Sequence, residues 1–318
     1  MKRYYLMTLL VILVLNFSLP RLMPGDPFLY LSVEDGHTGV TFTEEQIAQY
    51  KAYYGLDKPV YLQFFSYIGN LLRADLGYSI YFNTGVMEII STRILWTVSI
   101  VLCAIVISCF LGTLMGGISA WYRDGPADKL LYPGMVIFSE IPSFLMGVFL
   151  LFVFAARLGW FPMAGGVTPF AEFNSAAEQV RDIVRHGALP VITLSLSRLG
   201  GFYLLSRNSM LNVLSRDYMR TARAKGLKSL RIIFKHALKN ALLPIVTRVF
   251  MSLGTVFGAA VLVENVFSYP GVGRLIGEAV MVRDYVLIQG VFFFITITVL
   301  TMNWLADLLY RKLDPRIS

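Results

Sequence analysis

Six stretches of this chain are apolar over about the 20 residues that a helix needs to cross a hydrocarbon core. They run over 4–23, 95–121, 132–156, 189–211, 242–263 and 285–310, the fourth interrupted by Arg198 and Arg207. Inside a bilayer a segment must satisfy its own backbone hydrogen bonds, so apolar stretches of this length are read as helices. The predicted fold class is an all-α integral membrane protein with six transmembrane helices. Composition agrees: 56% of the 318 residues are hydrophobic and 15% charged, against about 25% charged in a soluble domain.

The first stretch follows Lys2 and Arg3 and so shares features with a secretory signal. Phe17, Ser18 and Leu19 do not make a small-x-small cleavage site, and further spans follow, so it is read as an uncleaved span. With six spans, the amino terminus, the second–third loop, the fourth–fifth loop and the carboxyl tail share one side. That side carries Lys2, Arg3, Arg123, Lys129, a dense basic cluster over 207–239, and Arg311, Lys312 and Arg316. The other side mixes signs: Asp26, Glu34, Asp35, Glu44 and Glu45 with Lys51 and Lys58, then Glu172, Glu178 and Asp182 with Arg181 and Arg185. Basic residues mark the cytoplasmic side, which places both termini inside. The same rule accounts for the net charge of +8, and no nucleic-acid recognition motif accompanies it. Cys103 and Cys109 have no metal-ligand neighbours at suitable spacing and read as small core residues.

The chain divides into a first helix over 1–23, an extracytoplasmic subdomain over 24–94, and a core over 95–318 with five spans. In the subdomain, Thr43 and Gln46 form a capping box and Gly55 stops the helix they start. Residues 60–72 read as an amphipathic helix with Tyr61, Phe64, Phe65, Ile68 and Leu72 on one face, lying against the membrane or a partner. In the second span Gly112 and Gly116, extended by Gly117, make a step that lets helix backbones approach closely.

The loop over 215–244 is the most informative segment. Asp217 suits the start of a short helix, where its charge is favourable. Tyr218, Met219 and Ala222 fall on one face, Arg220, Arg223 and Lys225 supply basic positions, and Gly226 ends the helix in a left-handed conformation. A second helix runs from Ser229 through His236 towards the fifth span. A short helix with a small apolar face suits a groove on another protein; a basic anchor on anionic lipid explains the charges equally well.

The run RTARAKGL over 220–227, followed by KHALKNALLP over 235–244, resembles the EAA loop of ABC importer permeases, in the form typical of dipeptide, oligopeptide and nickel systems. Ala222 and Gly226 match the second alanine and the glycine of the general pattern, while Arg220 and Thr221 replace its Glu and Ala, as is usual in that branch. The resemblance extends over nearly the whole chain: MPGDPF over 23–28, YGLDKPVYLQFFSYIGNLLRADLGYS over 54–79, IPSF over 141–144, VENVFSYPGVGRLIGEAVMVRDY over 263–285, and LDPR over 313–316. These resemble the first permease of such systems. The resemblance implies a coupling helix formed by Asp217, Tyr218, Arg220, Thr221, Ala222, Arg223, Ala224, Lys225, Gly226 and Leu227 that docks on an ATPase subunit. It also implies two ATPase subunits holding ATP and Mg, a second related permease, an extracytoplasmic binding protein, a peptide substrate and a bacterial cytoplasmic-membrane location.

Glu140, Arg198 and Arg248 are charges inside predicted spans, where a charge is costly and faces a partner or a cavity. Glu140 has either arginine as a candidate partner, and all three are candidates for the transport path. Asp307 and Arg311 lie near the cytoplasmic end, within snorkelling reach. The chain carries no GxxxxGK[ST] sequence; Gly271 and Gly273 fall in an external turn with no preceding strand. No catalytic residue or cofactor is expected on this chain. The function expected is alternating access of small peptides driven by ATP on partner subunits. A nickel or metal–chelator substrate is the nearest alternative, with His37, His186 and His236 scattered. A stand-alone channel or transporter is the alternative of a different class. No HExxH, GxSxG or GxGD sequence points to an intramembrane enzyme.

Overall fold

A computed structural model describes residues 2–22, 44–53, 55–226 and 232–313. The motif over 23–28, the Thr43 half of the capping box, Leu227, Ser229 and the tail beyond Leu313 lie outside the described residues. Among the described residues there are eleven α-helices, in chain order α1 (Lys2–Leu22), α2 (Glu44–Tyr53), α3 (Val60–Leu72), α4 (Val86–Trp121), α5 (Pro126–Glu140), α6 (Ser143–Leu150), α7 (Ala176–Leu214), α8 (Asp217–Ala224), α9 (Lys239–Val266), α10 (Val272–Met281) and α11 (Tyr285–Leu313). Wider π-helical turns extend α6 over Leu151–Arg157 and precede α9 over Ile232–Leu238. Among the described residues the only β pairing is an isolated bridge between Tyr78 and Gly85.

Three of these helices are long and apolar enough to cross a membrane singly: Val86–Trp121, Ala176–Leu214 and Tyr285–Leu308. Two bent pairs, Pro126–Glu140 with Ser143–Arg157 and Asn240–Ser252 with Phe257–Val266, bring the number to as many as five. Met7–Leu22 is a shorter apolar helix.

The third predicted span is not one straight helix. Its halves meet at 101° across Ile141 and Pro142. Proline supplies no backbone N–H and disfavours helical geometry in the residue before it, and Ile141 is accordingly extended, at φ −75° and ψ 121°. The fourth predicted span is longer than expected. α7 begins at Ala176, where the Ser175 side chain accepts from the Glu178 backbone N–H at 3.2 Å. Its 39 residues make a helix of about 58 Å at 1.5 Å per residue, far more than a bilayer core requires.

The chain forms two compact units. One comprises Met1–Leu95 with Arg274–Thr298. In it Phe17, 4% exposed, packs its ring 5.1 Å from Phe64 and 5.8 Å from Tyr67. Arg21 lies 3.6 Å over the Phe17 ring and donates to Gln63 Oε1 at 3.0 and 2.8 Å. α3 has the predicted bounds, but its apolar face is divided: Phe64 packs inward, while Tyr61, Phe65 and Leu72 stay exposed. Asp284 caps α11 by accepting from Leu287 N at 2.9 Å, and also accepts from Ser79 Oγ at 2.5 Å and Tyr81 N at 3.0 Å. Two motifs some 200 residues apart in sequence thereby meet.

The other unit comprises Trp96–Gly273 with Val299–Ser318. α7 is its central element and packs on α5, α6 and α9. A Cβ on Gly112 would lie 2.7 Å from Phe202 Cβ, and one on Gly116 would lie 2.5 Å from the Tyr203 carbonyl oxygen. The glycine step in α4 is therefore the surface on which α7 rests. Gly117 faces open space. Ile100, Ala104, Met146, Leu150, Leu194 and Val263 form part of the buried core.

Candidate coupling helix and intramembrane cavity

α8 follows α7 after two residues and carries nine of the ten sequence-predicted coupling positions on or beside it. Met219 is fully buried at 0% exposure. It belongs to a cluster with Ala120, Met210, Ile232, Ala237 and Ala241, which draws on α4, α7, α9 and the turns before α9. The opposite side is turned to the surface: Tyr218, Thr221, Ala224, Lys225 and Gly226 are exposed. Thr221 Oγ1 donates to the Asp217 carbonyl at 3.2 Å, and Asn240 Nδ2 donates to the Tyr218 hydroxyl at 3.3 Å. Gly226 adopts φ +69° with nothing within 4 Å of a Cβ built on it. Glycine is required there by the backbone conformation and not by lack of space.

Behind this helix lies a polar network that the sequence did not single out. Arg207 of α7 donates from Nε and Nη2 to the two carboxylate oxygens of Asp128, each at 2.8 Å. Ser119 Oγ also donates to Asp128, and the Ser119 and Tyr203 hydroxyls are 2.6 Å apart. The Asp124 backbone N–H donates to the same carboxylate at 3.1 Å, and the Arg207 guanidinium stands 4.7 Å over the Tyr132 ring. From the sequence Arg207 is a basic residue of the cytoplasmic side that interrupts the fourth apolar stretch. The signal in the sequence is an acid, Asp128, in the first turn of the apolar helix α5.

Of the three charges that fall inside predicted spans, Arg198 and Arg248 line one cavity of about 340 Å³ with Ser139, Ser143, Ser197 and Ser252. Arg198 is half-buried and Arg248 exposed. Glu140 is exposed at the end of α5 and does not belong to that lining.

The glycine-rich turn before α10 holds a buried acid. Glu264, at 0% exposure, accepts from Gly273 N at 2.7 Å, and Thr97 Oγ1 accepts from Val272 N at 2.8 Å. A Cβ on Gly271 would overlap the Glu264 carboxylate. Two orphan donors at the start of α10 are thus satisfied, and Gly271 and Gly273 serve this turn. Among the described residues no group of three or more His, Cys, Asp or Glu could hold a metal ion.

The family model described as "Binding-protein-dependent transport system inner membrane component" matches residues 110–318. The oligopeptide transport system permease protein AppB of Bacillus subtilis is 34% identical over 315 residues, covering 98% of this chain and 95% of that protein. The glutathione transport system permease protein GsiC of Pectobacterium atrosepticum is 33% identical over 310 residues, covering 98% and 94%. Among solved structures, the chain is similar to an inward-facing conformation of the MetNI methionine ABC transporter, with TM-score 0.56 and 16% identity. That match covers 72% of this chain and 97% of the other and concerns the fold.

Proposed function

Because the chain belongs to the family of binding-protein-dependent transport system inner membrane components, we propose that it is the first permease of an ATP-driven importer of small peptides in a bacterial cytoplasmic membrane. As a member it is a transport component and not a catalyst, which leaves the stand-alone channel behind. Relatives named for oligopeptide and glutathione transport, matched over nearly their full lengths, support a peptide substrate. The basic loops described above support six spans with both termini cytoplasmic, and an extracytoplasmic subdomain over 24–94.

The observation that carries the coupling assignment is α8 itself. It is anchored through the fully buried Met219 and exposes Tyr218, Thr221, Ala224 and Lys225. We read this exposed side as the surface that seats in an ATPase subunit. ATP, held with Mg on two such subunits, shifts the permease between inward- and outward-open states only by its different affinity for them. A helix fixed by packing transmits that difference, whereas a loose loop does not. A second related permease completes the path, and an extracytoplasmic binding protein delivers substrate to it.

The test is uptake of a labelled short peptide and of nickel in cells with and without this gene. Loss of peptide uptake alone is expected. Loss of nickel uptake alone would keep the coupling assignment and move the substrate to a metal or metal chelate.

A further inference from the structure

The cavity between α5, α6, α7 and α9 has a lining unlike the apolar surfaces around it. Arg198 and Arg248 share it with Ser139, Ser143, Ser197 and Ser252, and none of the described lining residues is acidic. Ser143 is also the first residue of α6. The bend at Ile141–Pro142 brings a helix N-terminus to this lining, and that end of a helix carries partial positive charge. Two guanidinium groups and a helix N-terminus favour an anion, while the Ser139 and Ser197 hydroxyls donate to the Val136 and Leu194 carbonyls of their own helices. Discontinuous helices whose N-termini meet anionic substrate groups are a recurrent device for binding in mid-membrane. Every linear peptide with a free end has one anionic group in common, its terminal carboxylate, and a planar guanidinium fits a carboxylate with two parallel hydrogen bonds.

We infer that Arg198 and Arg248, beside the N-terminus of α6, form the station on the transport path that accepts the substrate's carboxylate. The assignment to a peptide rests on the proposed function; the anion station itself does not.

Two measurements separate these. The assembled transporter is prepared with Cys103→Ser, Cys109→Ser and Ser197→Cys in this chain, and the new thiol is reacted with an anionic and a cationic methanethiosulfonate reagent. A cleft lined by one sign of charge raises the local counter-ion concentration at least tenfold. The anionic reagent is therefore expected to react about tenfold faster than the cationic one, relative to a free thiol. Arg198→Gln or Arg248→Gln should bring the ratio towards one. Equal rates in the parent, or no reaction with either reagent, would overturn the station.

The second measurement is uptake of dialanine, of dialanine amide, and of an alanyl-glutamate amide whose only carboxylate is in the side chain. With Arg198→Gln and Arg248→Gln together, dialanine uptake should fall at least tenfold at equal membrane abundance. Dialanine amide should lose little, and the paired Lys substitutions should restore part of the loss. Equal losses for dialanine and its amide would overturn carboxylate recognition. A loss confined to the glutamate-bearing amide would move the ligand to acidic side chains and overturn the assignment to the peptide terminus. If the parent imports no peptide at all, the proposed function fails while the thiol rates still judge the station.

Discussion

Arg207 and Asp128 form a buried two-pronged ion pair, with both N–O distances 2.8 Å and side chains only 14% and 6% exposed. The pair ties α5 to α7, and Ser119 adds α4 to the same carboxylate. It stands one helical turn from Met210, which packs with Met219 of the candidate coupling helix. The ionic contact therefore braces the scaffold on which α8 is mounted.

Removing one member of such a pair leaves the other charged and buried, at a cost of about 3–5 kcal/mol. Asp128→Leu or Arg207→Met alone should lower the unfolding temperature of the purified transporter sharply. The double replacement should be less damaging than the sum of the two. Strict additivity in thermal unfolding would show that the two side chains do not support each other.

Gly226 is the second position with a definite expectation. A side chain at φ +69° costs about 1–2 kcal/mol, because Cβ crowds the following carbonyl oxygen. Gly226→Val should leave membrane abundance near normal and greatly reduce peptide uptake, together with substrate-stimulated ATP hydrolysis. Full uptake at equal abundance would sink the coupling role of this turn.

The glycines of α4 offer an internal contrast. Gly116→Leu must push α7 away from a contact that would bring Cβ within 2.5 Å of the Tyr203 carbonyl, whereas Gly117 has nothing within 4 Å. The first substitution should strip the protein from the membrane fraction, and Gly117→Ala should be silent. Immunoblots of membranes from the two variants decide the matter.

At the other end of this unit, Glu264→Ala removes the acceptor for Gly273 N. Loss of an N-terminal cap costs about 0.5–2 kcal/mol, and the midpoint of thermal unfolding should fall accordingly. Gly271→Ala should be harmful in the parent and much less so beside Glu264→Ala, because the overlapping carboxylate is then absent. Equal effects of Gly271→Ala in both backgrounds would refute that steric relationship.

Much of the architecture was legible because it depends on local rules. Long apolar stretches predicted the long helices, the glycine step predicted a close helix contact, and the stop at Gly226 followed from the residue that tolerates a left-handed backbone. α3 was located from periodicity alone. Its packing was not, since spacing puts Phe64 and Phe65 on one apolar face and only the contact with Phe17 shows which turns inward.

By itself the sequence determined that this chain is helical and built for a membrane. Hydropathy, helix breaks and short motifs act through the chemistry of neighbouring residues. The tertiary structure decided which distant charges meet. Arg207 is paired with Asp128, 79 positions away, and Arg198 shares a cavity with Arg248 while Glu140 stays outside it. When nearly every helix face is apolar, the pattern cannot show how a helix is rotated about its axis. Rotation follows from where glycines admit a neighbouring backbone and where a proline bends a helix, and those are properties of the packed chain.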